Sequence, residues 1–156
     1  VIDFNHNRLK IAKLLGANKL FKVSQKSSPA IIQILKPTNN LGYNAVISAN
    51  GNIDSHELAC KLVGKKGVVN LFGGIPKNIT KKLFVDANFI HYKQAIITGS
   101  FSSNQKHLEK AFKIIKNKSI DFSKIVTSYS DYNNFKNKIK LLKAGKEIKC
   151  IFKPGK

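Results

Sequence analysis

The sequence contains neither methionine nor tryptophan, and it has only two cysteines. No apolar run approaches the roughly 20 residues that a membrane-spanning helix requires. The sequence shows no signal-peptide pattern, although a missing start would hide one, so we expect the cytoplasm as the compartment. Cys60 and Cys150 stand in apolar segments without a CxxC or Cys/His spacing, which favours two buried thiols.

Acidic residues and arginine are also scarce. Asp and Glu together number 8 against 28 Lys and Arg, the net charge is +20 at pH 7, and Arg8 is the only arginine. A basic excess neutralises nucleic-acid phosphates, so a basic non-catalytic nucleic-acid-binding module is one alternative function. Arginine, however, is the residue best suited to bidentate base and phosphate contacts, and the lysines are spread along the whole chain. We therefore interpret the charge as a solvated surface and consider nucleic acid an unfavoured partner.

What the sequence does contain is a regular alternation of strand-like and helix-like segments. Its 156 residues, 42% of them hydrophobic, suffice for a domain with a core. Short apolar runs that predict strands occur at 1–3, 19–23, 44–49, 68–72, 94–101, 125–127 and 148–152. Segments between them predict helices, including one that starts at Ser27-Ser28-Pro29, one capped by Asp54 or Ser55, and one capped by Ser103 or Asn104. This alternation predicts an α/β fold whose parallel sheet is covered by helices on both faces.

The first residues carry the most informative pattern. The run Val1-Ile2-Asp3, followed by an amphipathic helix closed by Gly16, is typical of the second strand and following helix of a dinucleotide-binding unit. In such a unit, the carboxylate that ends this strand accepts hydrogen bonds from both hydroxyls of the adenosine ribose. A glycine-rich turn is expected about twenty residues upstream, which would lie before Val1. We therefore predict an incomplete Rossmann-type doubly wound parallel sheet that lacks its first strand and glycine-rich loop, with a helix-capping role for Asp3 as the alternative.

Several short blocks occur in an order that resembles one enzyme family. The blocks are Asp3 with Arg8-Leu9 and 15–17, then 45–51, 67–73 and 97–101, and finally 118–121 and 144–149. Together they resemble the carboxy-terminal, cofactor-binding part of a zinc-dependent medium-chain alcohol dehydrogenase, and the resemblance covers nearly the whole chain. The segment 91–93 leading into Gly99-Ser100-Phe101 is most similar to the sorbitol and threonine dehydrogenase branch.

The resemblance implies cofactor-binding roles at a series of positions. Asp3 would hold the adenosine ribose, Arg8 would lie beside that ribose or over the adenine, and Lys149 would lie near the pyrophosphate. The remaining positions are Ala49, Asn50 and Gly51 along the cofactor, Leu71, Phe72 and Gly73 against the nicotinamide, and Ser100 and Phe101 over its carboxamide. The alternatives are that Arg8 and Lys149 are solvated surface charges and that Gly73 and Gly99 serve only the backbone.

Some positions depart from the family pattern. Ser48 and Asn50 stand where relatives usually have Glu and Ala, and Ser128 stands where many have His. The four histidines are His6, His56, His91 and His107. They lack adjacent Cys, Asp or Glu at ligand spacing, so we interpret each as a surface or hydrogen-bonded histidine. We therefore assign no catalytic residue and no metal ligand to this chain.

The resemblance also implies an activity for the parent protein. It would be an NAD-dependent dehydrogenase that oxidises a secondary alcohol, a polyol or hydroxy amino acid, by zinc-assisted hydride transfer. The zinc would be bound outside this chain, and this fragment alone would be inactive. A zinc-free quinone reductase of the same superfamily is the alternative enzyme.

The same comparison implies an organisation for the chain. Residues 1–125 would form a partial NAD-binding Rossmann domain, and residues 126–156 a segment returning toward the absent catalytic domain. The strand Ala95–Gly99 is expected at the sheet edge, where relatives pair it with its symmetry mate to form a homodimer or homotetramer. In the strand order 3-2-1-4-5-6, the missing first strand lies between the strand ending at Asp3 and the strand at 45–47, so we expect a split sheet.

Overall fold

The computed structural model describes residues 1–24, 31–78, 80 and 82–154. The strands are β1 (Ile2–Asp3), β2 (Phe21–Lys22), β3 (Tyr43–Ser48), β4 (Val63–Leu71), β5 (Ile96–Gly99), β6 (Val126–Ser130) and β7 (Lys149–Phe152). The α-helices are α1 (His6–Leu14), α2 (Ile31–Leu35), α3 (Ile53–Leu62), α4 (Ala87–Lys93), α5 (Gln105–Lys116) and α6 (Phe135–Lys143). Short 3-10 helices cover Lys36–Thr38 and Phe122–Ile125. The helix start predicted at Ser27-Ser28-Pro29 lies outside the described residues.

The predicted α/β class with parallel strand pairing is confirmed. Every strand pair among the described residues is parallel: β1 with β2, β3 with β4, β4 with β5, and β6 with β7. The chain divides into two compact units, one formed by Val1–Ser28 with Ser103–Lys156 and the other by Pro29–Ser102. The boundary expected after residue 125 stays a prediction. None of the described helices combines the length and apolarity needed to cross a membrane.

Within the Pro29–Ser102 unit, β4 lies between β3 and β5. One face of this sheet contributes to the core, whose buried members are Ala59, Cys60, Val63, Val69 and Ala95. Partly buried Val46, Leu71, Val85, Phe89 and Ile97 pack against them. Side chains alternate between the two faces of a strand, and on the other face Ile47 and Ile96 are 68% and 58% exposed. The described residues therefore leave these two side chains of that face in solvent.

The start of β4 differs from the sequence prediction. The strand predicted at 68–72 begins earlier in the structure, because β4 starts at Val63, directly after the helix α3. A Cβ atom on Gly64 would lie 2.6 Å from the carbonyl oxygen of Leu41, so glycine here permits close passage of the chain rather than ending the helix. The cap of α3 also differs, because the side chain of Asn52 accepts from the backbone N–H of Asp54 at 2.8 Å.

In the other unit, the first helix is capped by Asn5. Its side-chain oxygen accepts from the backbone N–H groups of Asn7 and Arg8 at 2.9 and 3.2 Å. Its amide nitrogen donates to the carbonyl oxygen of Gly145 at 2.8 Å, which ties the start of α1 to the end of α6. The alternative role of Asp3 as the cap of this helix is therefore wrong.

The helix α5 is amphipathic as predicted, and Asn104 is its N-cap, accepting from the backbone N–H of His107 at 3.0 Å. Its apolar side is not buried. Leu108, Phe112 and Ile115 are 64%, 66% and 55% exposed. The pattern thus predicted the helix correctly, while the surface that would cover its apolar side does not come from the described residues.

The sheet is split as predicted. Among the described strands, β1 is paired with β2 alone, and β3 is paired on one side only, with β4. The pair β1-β2 corresponds to the second and third strands of the order 3-2-1-4-5-6, and β3-β4-β5 corresponds to the fourth to sixth. Within their own sheets, β1 and β3 therefore each have one edge that no described strand pairs with. β5 is the opposite edge of its sheet, as expected for the strand at 95–99.

Candidate functional site

The carboxyl ends of three parallel strands are aligned in the Pro29–Ser102 unit. Ser48, the last residue of β3, pairs with Leu71 of β4, and Leu71 pairs with Gly99 of β5. The segments that follow these residues therefore leave the sheet at the same edge. In open α/β sheets, ligands bind outside the carboxyl ends of the strands. The predicted cofactor-binding positions in this unit, residues 49–51, 71–73 and 100–101, all lie at or directly after these aligned ends.

The segments after β3 and β4 are in contact through their backbones. The carbonyl oxygen of Ser48 accepts from the N–H groups of Phe72 and Gly73, each at 3.0 Å. A Cβ atom on Gly73 would lie 2.2 Å from the backbone carbonyl of Asn50, and one on Gly51 would lie 2.3 Å from the oxygen of Gly74. Real Cβ atoms do not approach backbone so closely, so both positions require glycine. The structure therefore brings together the predicted residues Asn50, Gly51, Phe72 and Gly73.

The segment after β5 is connected to β4 by two hydrogen bonds. The backbone N–H of Ser100 donates to the carbonyl oxygen of Leu71 at 3.4 Å. The side-chain nitrogen of Asn70 donates to the hydroxyl oxygen of Ser100 at 2.7 Å. Gly99 behaves differently from expectation, because a Cβ atom there would meet only the oxygen of Leu71, at an ordinary 3.9 Å. The backbone around Gly99 therefore does not itself require glycine, and a close approach of the cofactor to this position stays a prediction.

Asn70 is a residue that the sequence analysis missed. Its side-chain oxygen is buried and has no hydrogen-bond partner among the described residues. The available signal was an amide in the otherwise apolar run Val68-Val69-Asn70-Leu71-Phe72, one residue before the strand ends. The apolar neighbours of Asn70 predict a strand, and a single amide within that strand does not by itself indicate a buried polar group.

Four predicted positions of this unit differ in the exposure of their side chains. Phe72 is 61% exposed and Phe101 is fully exposed, so each presents an aromatic surface directly after a strand end. Ala49 is exposed as well. Leu71, by contrast, packs against the core, which leaves its backbone rather than its side chain for a ligand. Contact of these positions with a cofactor stays a prediction.

A buried hydrogen bond supports the end of β3. The ring nitrogen Nδ1 of His56 lies 2.8 Å from the hydroxyl oxygen of Ser48, and these residues are only 4% and 6% exposed. The bond joins the first half of α3 to the last residue of the strand. The interpretation of His56 as a hydrogen-bonded histidine is confirmed, and its partner is the serine that departs from the family pattern.

In the other unit, Asp3 ends β1 and is arranged as an acceptor. One carboxylate oxygen accepts from the backbone N–H of Asn5 at 2.7 Å. The other lies 3.8 Å from a guanidinium nitrogen of Arg8, whose guanidinium carbon is 6.0 Å from the ring centre of Phe4. The carboxylate side chain is 22% exposed, so it retains access to solvent. Asp3 and Arg8 are thus brought together, and the assigned ribose contact stays a prediction.

Lys149 begins β7 and pairs with Val126. The side-chain hydroxyl of Thr127 donates to the backbone carbonyl oxygen of Lys149 at 3.1 Å. The proximity of Lys149 to a pyrophosphate stays a prediction.

Next to this strand, the hydroxyl of Ser128 donates to Glu147, which also pairs with Lys138 at 2.8 Å. Hydrogen bonds from Lys138 and then Ser128 hold the pKa of Glu147 below its usual range.

The described side chains do not form a zinc site. No group of three or more His, Cys, Asp or Glu side chains is gathered at ligand spacing within residues 1–24, 31–78, 80 and 82–154. Structural and catalytic zinc sites require three or four such ligands.

The two cysteines differ in burial. Cys60 is buried, and its pKa is raised chiefly by this burial and in addition by the negative charge of Glu57. Cys150 is only partly buried, which corrects the expectation that both thiols are buried.

Comparison with known proteins agrees with this geometry. A family model for zinc-binding dehydrogenases matches residues 1–117. The chain is 31% identical over 130 residues to a protein of Mycoplasma pneumoniae named "Probable NADP-dependent isopropanol dehydrogenase". It is 24% identical over 153 residues to L-threonine 3-dehydrogenase of Chromobacterium violaceum. The crystal structure of benzyl alcohol dehydrogenase from Acinetobacter calcoaceticus superposes with a TM-score of 0.85 at 19% identity, covering 99% of this chain.

These similarities extend over only part of each relative. The matches cover 81% and 97% of this chain but 36% and 42% of the isopropanol and threonine dehydrogenases. The benzyl alcohol dehydrogenase is likewise matched over 42% of its length. The chain therefore spans less than half the length of these three relatives.

Proposed function

Because the chain belongs to the zinc-binding dehydrogenase family, we propose that it is the cofactor-binding part of an NAD-dependent dehydrogenase that oxidises a secondary alcohol. The alignment of Ser48, Leu71 and Gly99 at one sheet edge carries this proposal. It puts three loops at the place where parallel α/β sheets bind their ligands. The substrate proposed for the parent enzyme is a polyol or a hydroxy amino acid.

Two observations support a fit between these residues and a nicotinamide dinucleotide. The backbones of Asn50 and Gly73 are packed so closely that the loops after β3 and β4 form one fixed surface. Beside it, Phe72 and Phe101 expose aromatic surface directly after the ends of β4 and β5, which suits contact with a planar ring. When bound, the dinucleotide supplies the hydride acceptor of the reaction. The role of this chain would be to bind and orient the dinucleotide.

Asp3 supports NAD over NADP as the proposed cofactor. Its carboxylate would accept hydrogen bonds from the ribose hydroxyls and repel a 2′-phosphate at the same position. Arg8, at 3.8 Å, partly offsets that repulsion. The relative from Mycoplasma pneumoniae is named as NADP-dependent. Similarity therefore does not decide between NAD and NADP for this chain, and the preference has to be measured.

The described residues do not fit the zinc that the family name implies, because they supply no ligand set. We derive no step through that metal for this chain. The proposal assigns the zinc and the proton transfer to a part of the enzyme outside these residues, and it holds that the fragment alone is inactive.

We also propose a cytoplasmic enzyme that assembles as a homodimer or homotetramer through the β5 edge.

Steady-state kinetics of the full-length protein that carries this chain tests the proposal. Polyols, hydroxy amino acids and simple secondary alcohols are offered with NAD or NADP, and formation of the reduced cofactor is followed. We expect reduction of NAD by at least one secondary alcohol, with a higher kcat/KM for NAD than for NADP. Turnover of quinones with a reduced cofactor, and none of alcohols, would instead support the zinc-free quinone reductase.

A further inference from the structure

His56 and Ser48 form a buried polar pair next to the proposed cofactor surface. The ring nitrogen Nδ1 of His56 lies 2.8 Å from the hydroxyl oxygen of Ser48. The two residues are only 4% and 6% exposed. His56 belongs to the helix α3, and Ser48 is the last residue of the strand β3. The hydrogen bond therefore fixes the carboxyl end of β3 against the helix that follows it in the chain.

The backbone of Ser48 is bonded to the loop after β4. Its carbonyl oxygen accepts from the N–H groups of Phe72 and Gly73, each at 3.0 Å. Ser48 thus contacts α3 through its side chain and the loop after β4 through its backbone. Gly73 in turn lies directly against the backbone of Asn50, with no room for a Cβ atom. A change in the orientation of Ser48 would therefore displace both loops that we assign to the cofactor surface.

Packing alone does not explain a polar pair at this place. The core cluster of this unit consists of apolar side chains and Cys60. Burying a hydroxyl and an imidazole is unfavourable unless they are hydrogen-bonded, and apolar residues would fill both positions without that requirement. A hydrogen bond has a preferred distance and direction, whereas hydrophobic burial is non-directional. The pair is therefore best explained by a need to hold the end of β3 in one orientation.

We propose that His56 is a positioning residue of the cofactor site, which acts through its hydrogen bond to Ser48 and sets the orientation of the loops after β3 and β4. This role rests on the proposed function, since the ligand concerned is the same dinucleotide. His56 is almost fully buried, so its effect on the ligand is transmitted by Ser48 and not by direct contact. The sequence analysis recognised His56 only as a hydrogen-bonded or surface histidine.

Four variants of the full-length protein that carries this chain separate the hydrogen bond from the bulk of the ring. His56→Leu removes the polar atom, Ser48→Ala removes the hydroxyl, and the double variant removes both. His56→Asn keeps a polar atom at the distance of Nδ1 from the backbone, and its amide offers both a donor and an acceptor to Ser48. His107→Leu, at an exposed histidine of α5, is the matched control.

Two measurements are made on each variant. Calorimetry gives the dissociation constant of NAD, and hydrogen–deuterium exchange with mass spectrometry follows the peptide that contains the N–H groups of Phe72 and Gly73. The peptide of α1 (His6–Leu14), which lies in the other unit, reports any general loosening of the fold. A purely structural role of His56 would lower the free energy of unfolding without changing the affinity of the folded protein for NAD.

We expect His56→Leu and Ser48→Ala each to weaken NAD binding about tenfold, the equivalent of one hydrogen bond, and to speed exchange at 72–73 but not in α1. The double variant should lose no more than either single variant, because both remove the same bond. His56→Asn and His107→Leu should resemble the unaltered protein. If His56→Leu does not fold, Ser48→Ala with His56→Asn still gives the comparison.

Unchanged NAD affinity in a folded His56→Leu or Ser48→Ala variant overturns the positioning role and leaves the proposed function standing. Equal losses in His56→Asn and His56→Leu also overturn it, because they would assign the effect to the shape of the ring. If the unaltered protein does not bind NAD, the proposed function fails, and the exchange at 72–73 still decides whether His56 holds this loop.

Discussion

Gly73 lies so close to Asn50 that a Cβ atom at this glycine would be 2.2 Å from the asparagine carbonyl. The contact joins the loop after β3 to the loop after β4, at the edge where the three strands of this sheet end together. Any side chain at Gly73 must push these loops apart. The geometry of the proposed cofactor surface therefore depends on this one position.

Gly73→Ala should destabilise the protein and weaken dinucleotide binding, because the added methyl group overlaps backbone that cannot move aside cheaply. Overpacking of this kind costs about 1 to 3 kcal/mol. Gly99→Ala is the matched control, since its Cβ would make an ordinary contact at 3.9 Å and its φ is not positive. Urea unfolding of both variants measures the difference. Equal destabilisation by the two alanines would show that the close contact with Asn50 is not what limits position 73.

Asp3→Ser should narrow the preference for NAD over NADP. The substitution removes the charge that would repel a 2′-phosphate and leaves Arg8 to attract it. The NAD/NADP ratio of kcat/KM, measured on the full-length protein, reports the change. Asp54→Ser, which removes an exposed acid from the first turn of α3, controls for the loss of one negative charge. A ratio that stays the same in the Asp3 variant would remove Asp3 from the ribose site.

The Ser128-Glu147-Lys138 cluster makes stability depend on pH in the acid range. The pKa of Glu147 is lowered from its ordinary 4.5, chiefly by hydrogen bonds from Lys138 and Ser128. A carboxyl whose pKa is lower in the folded state stabilises the fold above its unfolded-state pKa, and this contribution is lost as the pH falls through the folded value. Glu147→Gln should therefore be less stable than the unaltered protein at neutral pH.

At a pH below both pKa values, the two proteins should unfold at the same urea concentration, because Glu147 is then protonated in both states. Urea midpoints at neutral and strongly acidic pH measure this convergence. Glu57→Gln, which alters another partly buried glutamate, serves as the comparison. A stability gap that persists undiminished in acid would mean that the ionised cluster is not the source of the effect.

Ile96 and Ile97 of β5 provide a paired test of the proposed oligomer. Ile97 packs against the core of its unit, whereas Ile96 is 58% exposed. Ile97→Lys should therefore lower the free energy of unfolding, since it buries an unpaired charge. Ile96→Lys should leave folding intact and, if this edge region joins subunits, shift the full-length protein toward monomers in sedimentation. An unaltered sedimentation profile for Ile96→Lys would argue against assembly through β5.

The elements best predicted from sequence were those with a strong local pattern. The strands at 44–49 and 68–72 and the helix capped by Asn104 follow from apolar periodicity and capping chemistry, which act over a few residues. The start of β4 was wrong because Gly64 is needed for contact with Leu41, a neighbour distant in sequence. In the sequence, a glycine that follows a helix because of such a contact looks the same as a glycine that ends the helix.

In the candidate site too, the features marked by a local sequence pattern could be predicted, and those that depend on contacts distant in sequence could not. The loops with Asn50 and Gly73 could be located because strand ends and glycines mark them. The orphaned oxygen of Asn70 could not, because burial and lack of a partner exist only once β3, β4 and β5 are assembled. The exposure of the apolar side of α5 was also unpredictable, since periodicity identifies an apolar face but not what covers it.

We expect the unpaired edges of β1 and β3 to bind a strand from outside these residues, and we expect dinucleotide binding to depend on that strand. The most direct measurement compares residues 1–156 alone with the same residues preceded by a strand, glycine-rich turn and helix, using thermal unfolding and NAD titration. Unpaired backbone groups cost about 1 to 3 kcal/mol each when buried, against a total stability of about 5 to 15 kcal/mol. We predict a cooperative transition and NAD binding only for the extended chain. Cooperative melting together with ordinary NAD affinity in the isolated chain would show that β1 and β3 need no added strand for folding or for binding.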